Sequence, residues 1–234
     1  MRESRYLKVN PYLLLLVVLF ALVLFVSCKP LPKKEGERET FTCPPSQKKV
    51  TVVRAIDGDT VELSGMGKLR YAGVNTPELR TDWGRPEPFA VEAFNRNREL
   101  TEGKEFCLEL SGKEKDRYGR FLGELYFPNG TSVSEILVSE GLALVCYYKG
   151  SEKFYEKLLP VQRTAIKERR GLFSYVDRPE AKTRYIGNKN SKRFHHPECG
   201  VVEKIKKKVI FKDLESALYE GYCPSRECSH LIFF

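Results

Sequence analysis

The chain has 234 residues, 41% of them hydrophobic and 12% aromatic, which leaves room for one globular domain of ordinary size and a small appendage, and excludes a larger assembly of domains. Against 31 Asp and Glu stand 40 Lys and Arg, a formal net charge of +9. That balance suits a polyanionic partner, either nucleic acid or an anionic membrane surface.

Arg2, Arg5 and Lys8 precede an uncharged run from Tyr12 to Val26, which ends at Ser27 and Cys28. A charged start, an apolar stretch and a small residue at the boundary form an export signal over residues 1–28. The run is shorter than the ~20 residues of a bilayer span. Phe25-Val26-Ser27-Cys28 resembles a bacterial lipobox, with Phe25 where Leu is usual. The resemblance implies lipidation of Cys28 and a tether to the membrane. An uncleaved anchor and plain secretion are the alternatives. All three place the remaining chain outside the cytoplasm, where the other six cysteines (Cys43, Cys107, Cys146, Cys199, Cys223 and Cys228) are free to form disulfides. Their spacing leaves the pairing open.

Residues 29–47 are rich in Pro, Lys, Glu and Thr and read as a solvated linker. The β-branched Val50-Thr51-Val52-Val53 predicts a strand. The turn Asp57-Gly58-Asp59 separates it from a second strand over Thr60–Leu63. Gly65 and Gly67 lead into a third over Leu69–Val74. Pro86 and Pro88 open a helical stretch that Gly103 closes, with Phe89, Ala93 and Leu100 near helical spacing. Strands are predicted at Glu105–Leu110 and Phe121–Phe127. Ser132 and Glu135 suggest a capping box for a helix ending at Gly141. Ser151 is expected to cap a longer helix that Pro160 kinks and Gly171 stops. Five short strands with helices fit an α+β domain built on a small barrel, over residues 48–177. Residues 178–234 hold all three histidines, three cysteines and the basic run Lys204-Ile205-Lys206-Lys207-Lys208. They read as a separate small module.

The chemistry gathers in the barrel. Asp57 and Asp59 lie two apart beside a glycine, a start for a hard-cation site, since such ions take oxygen ligands. Alone the tripeptide is an ordinary turn. Arg70, Asn75-Thr76-Pro77-Glu78 and Asp116-Arg117-Tyr118-Gly119-Arg120 extend it. Two guanidiniums can grip phosphate oxygens, a cation can polarise phosphorus, and a carboxylate can orient or deprotonate water.

Those stretches, with Glu92-Ala93, Glu140-Gly141-Leu142-Ala143 and Arg170-Gly171-Leu172-Phe173-Ser174, make residues 50–174 resemble the staphylococcal nuclease (thermonuclease) family. The resemblance implies an OB barrel of five strands with three helices, and a Ca²⁺-dependent endonuclease that cuts DNA or RNA to 3′-phosphate ends. It implies Asp59 and the Thr76 carbonyl as Ca²⁺ ligands and Asp57 as their support. Arg70 and Arg120 would hold the scissile phosphate, Glu78 would act on water, and Tyr118 and Tyr147 would line the nucleotide pocket. Asn75 stands where the family has Asp, which keeps a carbonyl ligand but removes a charge and weakens the cation site. An inactive nucleic-acid-binding or DNA-uptake module is the alternative.

In the tail, His195 with Cys199 and Cys223 with Cys228 form two short pairs that suit tetrahedral Zn²⁺. Tyr185-Ile186-Gly187-Asn188 and Ser191-Lys192-Arg193-Phe194-His195 together resemble the small metal-binding domain related to that of the Ada repair protein. The second pair is wider than that family's usual Cys-x-x-Cys. A disulfide between two of these cysteines is the alternative.

Overall fold

The computed structural model describes residues 41–82 and 84–233. The export segment, Cys28 and most of the linker lie outside this range. Among the described residues no helix is long and apolar enough to cross a membrane.

Five strands close into a barrel in the order β1-β2-β3-β6-β5. They are β1 (Lys48–Ala55), β2 (Thr60–Leu63), β3 (Gly67–Tyr71), β5 (Glu105–Lys115) and β6 (Phe121–Tyr126). Val50, Val52, Val61, Leu63, Leu69, Phe106, Leu108 and Leu125 fill the interior. Each such side chain contributes about 1.5–3 kcal/mol by leaving water. Between Val52 and Arg54 the β1–β2 register shifts by one residue, which returns Ala55 to the inside. The sequence places every barrel strand. A short pair, β4 (Val74–Asn75) with β7 (Leu144–Val145), forms beside the barrel.

Three helices cover the barrel. Helix α1 (Ala90–Thr101) starts later than the prolines suggest, because Phe89 adopts a left-handed conformation at φ 66° and residues 86–89 run as loop. Helix α2 (Val133–Ser139) is capped by the Ser132 side chain, which accepts from the Glu135 N–H at 3.1 Å. Helix α3 (Glu152–Lys167) continues through Pro160. Ser151 precedes α3 but does not cap it: its hydroxyl donates to the Tyr148 carbonyl at 2.8 Å.

The tail has its own sheet, β10-β8-β9-β11, from β8 (Tyr185–Asn188), β9 (Arg193–His195), β10 (Lys208–Phe211) and β11 (Cys223–Pro224), with helix α4 (Leu214–Tyr219). It shares a core with the nearer domain: Ile166 and Phe173 pack in one cluster with Tyr185, Phe194, Leu218 and Tyr222. The buried Gln162 of α3 bridges the two. Its carbonyl accepts from Val145 N–H at 2.7 Å and its amide donates to Leu218 O at 2.8 Å. Residues from Phe41 onward thus cluster as one compact unit.

Cys43 is bonded to Cys107 on β5, Cα–Cα 5.4 Å, which fastens the end of the linker to the barrel. Cys146 is bonded to Cys223, Cα–Cα 5.2 Å, and Cys199 to Cys228, Cα–Cα 5.9 Å.

Candidate active site

The turn between β1 and β2 sets one side of the site. Asp57 braces it, its carboxylate accepting from the Asp59 N–H at 3.0 Å. A buried chain holds the turn from behind: Tyr71 hydroxyl donates to Asn97 of α1 at 2.8 Å, and the Asn97 amide donates to the Asp57 carbonyl at 2.8 Å. Gly58 is there for closeness. A Cβ on it would lie 2.5 Å from Thr76 Oγ1 and 2.7 Å from Thr76 Cβ. The turn can therefore press against the residue whose carbonyl is a candidate ligand.

Asp59 is buried and shared. One carboxylate oxygen meets Arg70 at 3.1 Å and accepts from the Thr76 N–H at 3.2 Å. The other accepts from the Thr60 hydroxyl at 3.1 Å. Burial and the Asp59 charge push the Asp57 carboxyl up to about 6. Two acids crowd where a cation would relieve them. The oxygens nearby suit a hard cation such as Ca²⁺: the Asp59 carboxylate, the Asn75 side-chain carbonyl and the Thr76 carbonyl. In this structure Asn75 Oδ1 accepts from Arg70 at 2.9 Å, and Asn75 Nδ2 donates to Thr76 O at 3.0 Å. Asn75 thus ties up two candidate ligand atoms, something the Asp of the family pattern would not do to Thr76.

Arg70, on β3, is almost enclosed. Besides Asp59 and Asn75 it donates to the Tyr71 and Val74 carbonyls, both at 3.1 Å, and to the Tyr148 hydroxyl at 3.4 Å. Burial alone would lower its pKa, but Asp59 and Tyr148 outweigh that and hold it protonated. Arg120 donates to Asp116 at 2.8 Å and to Thr60 Oγ1 at 3.4 Å. Burial pushes the Asp116 carboxyl up, and bonds from Arg120 and from the Tyr118 N–H bring it below its ordinary value. Thr60 therefore links Asp59 to Arg120. Glu78 is fixed by its backbone, whose N–H donates to the Glu87 carboxylate at 2.9 Å, while its own carboxylate pairs with Arg226 from the tail.

Arg70, Asn75, Thr76, Glu78 and Arg120 all line one cleft of about 500 Å³. Of the barrel residues singled out in the sequence, these and Tyr118 line the cleft, Asp59 sits behind it bonded to Arg70 and Thr76 with Asp57 beside it, and Tyr147 does not reach it. Tyr118 stands at the rim, 63% exposed, its ring within reach of the Arg117 and Arg120 guanidiniums. Tyr147 lies elsewhere: it donates to Glu152 at 3.1 Å and packs edge-on against Tyr155. Its neighbour Tyr148 takes the place in the cleft. The strand β7 ends at Val145, so contacts and not strand alternation place the two rings: the Tyr148 hydroxyl meets Arg70, and the Tyr147 hydroxyl meets Glu152.

The sequence reading missed two further cleft residues, Arg193 and Arg226, both from the tail. Arg193 lies in the Ser191–His195 stretch read as metal-binding and nothing local marks Arg226; tertiary packing brings both into the cleft.

Near β9, His195 Nδ1 lies 3.5 Å from Cys228 Sγ and 3.9 Å from Cys199 Sγ. Burial lowers the His195 pKa and favours the neutral ring. These three form the one group of metal-type side chains among the described residues. Cys223, expected as the fourth ligand, is instead bonded to Cys146, which removes its sulfur from the His195 group. The donor set fits zinc with three ligands once the Cys199–Cys228 bond is reduced, one short of a closed structural site.

A family model described as "Staphylococcal nuclease homologue" matches residues 68–175. The chain is 35% identical over 130 residues to the SPbeta prophage-derived endonuclease YokF of Bacillus subtilis (strain 168), covering 53% of this chain and 44% of that one. It is 36% identical over 130 residues to endonuclease YncB of the same organism, covering 53% and 61%. To an "Uncharacterized endonuclease" of Escherichia coli O157:H7 it is 33% identical over 130 residues, covering 54% and 77%. The chain thus spans less than two thirds of either Bacillus relative.

Proposed function

This chain belongs to the staphylococcal nuclease family, and on that premise we propose that it is a Ca²⁺-dependent endonuclease hydrolysing phosphodiester bonds of DNA or RNA. The observation that carries the reading is the convergence of Arg70, Arg120 and Glu78 on one cleft. Arg70 and Arg120 take the non-bridging oxygens of the scissile phosphate and neutralise charge as it builds on them. Glu78 orients water and accepts its proton. Water oxygen bonds to phosphorus as the bond to the 5′ oxygen breaks; that oxygen takes a proton from solvent and leaves as a 5′ hydroxyl, and a 3′-phosphate remains. Asp59, Asn75 and the Thr76 carbonyl would hold Ca²⁺, which supplies Lewis-acid polarisation of the phosphate. Tyr118 and Tyr148 offer ring faces to bases, a sequence-tolerant contact.

The same proposal places the protein outside the cytoplasm, held to the membrane through residues 1–28 with Cys28 lipidated. Six cysteines in three bonded pairs support an oxidising compartment. Where Cys199 and Cys228 are reduced, they and His195 would hold Zn²⁺.

The test is digestion of plasmid and single-stranded nucleic acid with and without Ca²⁺, beside Glu78→Gln. Cleavage should require Ca²⁺, leave phosphatase-sensitive 3′ ends, and fall by about 10²–10⁴ in the variant. Asn75→Asp should lower the Ca²⁺ needed for half-maximal cleavage. Binding without any cleavage by the unaltered protein would establish the alternative, an inactive nucleic-acid-binding module.

A further inference from the structure

We propose that Arg193 and Arg226 form a second phosphate subsite of the cleft, so that the C-terminal segment is part of the substrate-binding surface. The inference rests on the nuclease reading of the cleft.

Arg193 is placed by the fold. It opens β9, in register with Cys223 of β11, and Cys223 is bonded to Cys146, two residues before Tyr148. The crosslink brings the Arg193 guanidinium over the Tyr148 ring, 4.7 Å from its centroid. The Arg70 guanidinium lies 5.2 Å from the same centroid. The two cations are therefore within about 10 Å of each other, close enough to meet nearby phosphates of one strand. Arg70 has the Asp59 carboxylate as counter-charge. Among the described residues Arg193 has none, and its Nη1 is buried without a hydrogen-bond partner. A half-buried guanidinium with one buried, idle donor, beside another cation, is an unfavourable arrangement in the free protein. An anion entering the cleft satisfies both faults. A carboxylate-free cation facing a polyanion's path is what a phosphate contact requires.

Arg226 extends the row outward. Its side chain is 74% exposed and, among the described residues, paired with Glu78. A strand phosphate at the mouth can exchange with Glu78 for this guanidinium. The strand would then run from the scissile phosphate at Arg70 and Arg120 past the Tyr148 ring to Arg193 and Arg226.

Binding of a short fluorescent oligothymidylate, followed by anisotropy in EDTA across a salt series, tests this. For single strands the slope of log K against log salt is about −0.7 per phosphate contact. Arg193→Gln should weaken binding and reduce the slope by about 0.7, and Arg193→Lys, which keeps the charge, should restore most of that slope. An unchanged slope in Arg193→Gln overturns the proposal. Should that variant fail to fold, as its thermal melt would show, Arg226→Gln at an exposed position gives the same reading. A slope equal to that of the unaltered protein then overturns the subsite. Cleavage by the unaltered protein is scored separately. Loss of slope without any cleavage upholds the subsite and removes the hydrolytic reading, and cleavage with an unchanged slope does the reverse.

Discussion

Arg226 and Glu78, 148 residues apart in sequence, form an ion pair at the mouth of the cleft. The side chains are 74% and 40% exposed, and pairs so open to water contribute about 0–1 kcal/mol. The contact therefore matters for what reaches the cleft and little for holding the fold. Arg226→Ala should change the unfolding free energy by less than about 1 kcal/mol in urea titration. A larger loss would show that the tail depends on this pair for its docking.

Tyr118 offers an exposed ring to a base, whereas Tyr147 is turned toward α3. Stacking on one ring is worth about 1–3 kcal/mol per base. Tyr118→Ala should weaken single-strand affinity by roughly 5- to 150-fold, with the melting temperature unchanged. Tyr147→Ala, which removes a ring packed against Tyr155, should leave affinity as it is. Equal losses from the two variants would return Tyr147 to the nucleotide pocket.

Gly58 has no space for a methyl group, since Thr76 stands 2.5–2.7 Å from where its Cβ would be. Gly58→Ala should cost about 1–3 kcal/mol as overpacking and raise the Ca²⁺ needed for cleavage by shifting the Thr76 carbonyl from Asp59. Gly112→Ala is the control, because its nearest neighbour would be 3.6 Å away. Similar Ca²⁺ curves for both variants would detach Thr76 from the cation site.

Glu124 is fully enclosed on β6, and burial pushes its carboxyl from 4.5 up to about 7, against the lowering effect of bonds from Ser134 and Leu125. The folded form thus holds the proton more tightly than the unfolded form. Stability from this group is complete below about pH 4.5 and declines as pH rises to about 7. At roughly 1.4 kcal/mol per pK unit the loss approaches 3 kcal/mol. Glu124→Gln should gain most on the unaltered protein above pH 7 and lose that advantage near pH 4.5, in urea titrations at the two pH values. A difference that does not vary with pH would mean that Glu124 ionises freely.

The barrel was readable because each strand carries its own apolar alternation, and Asp59, Arg70, Glu78 and Arg120 because they sit in short fixed stretches of those strands and turns. Other features depend on contacts that no local pattern encodes. The pairing of Cys223 with Cys146 follows from β11 adding to β9. The presence of Arg193 follows from that crosslink. Tyr148 was one residue from the expected tyrosine, and only tertiary contacts, with Arg70 for one and Glu152 for the other, separate the two. The late start of α1 turns on a single left-handed residue, Phe89, which helical spacing does not forbid.

The Cys146–Cys223 bond joins a buried residue just after β7 to one in the tail that lines the cleft, 77 positions apart. A protease that nicks the backbone anywhere between them yields two pieces that cannot diffuse apart. Arg193 would stay at the cleft at an effective concentration independent of dilution, and a single cut there would show on a gel only after the thiols are reduced.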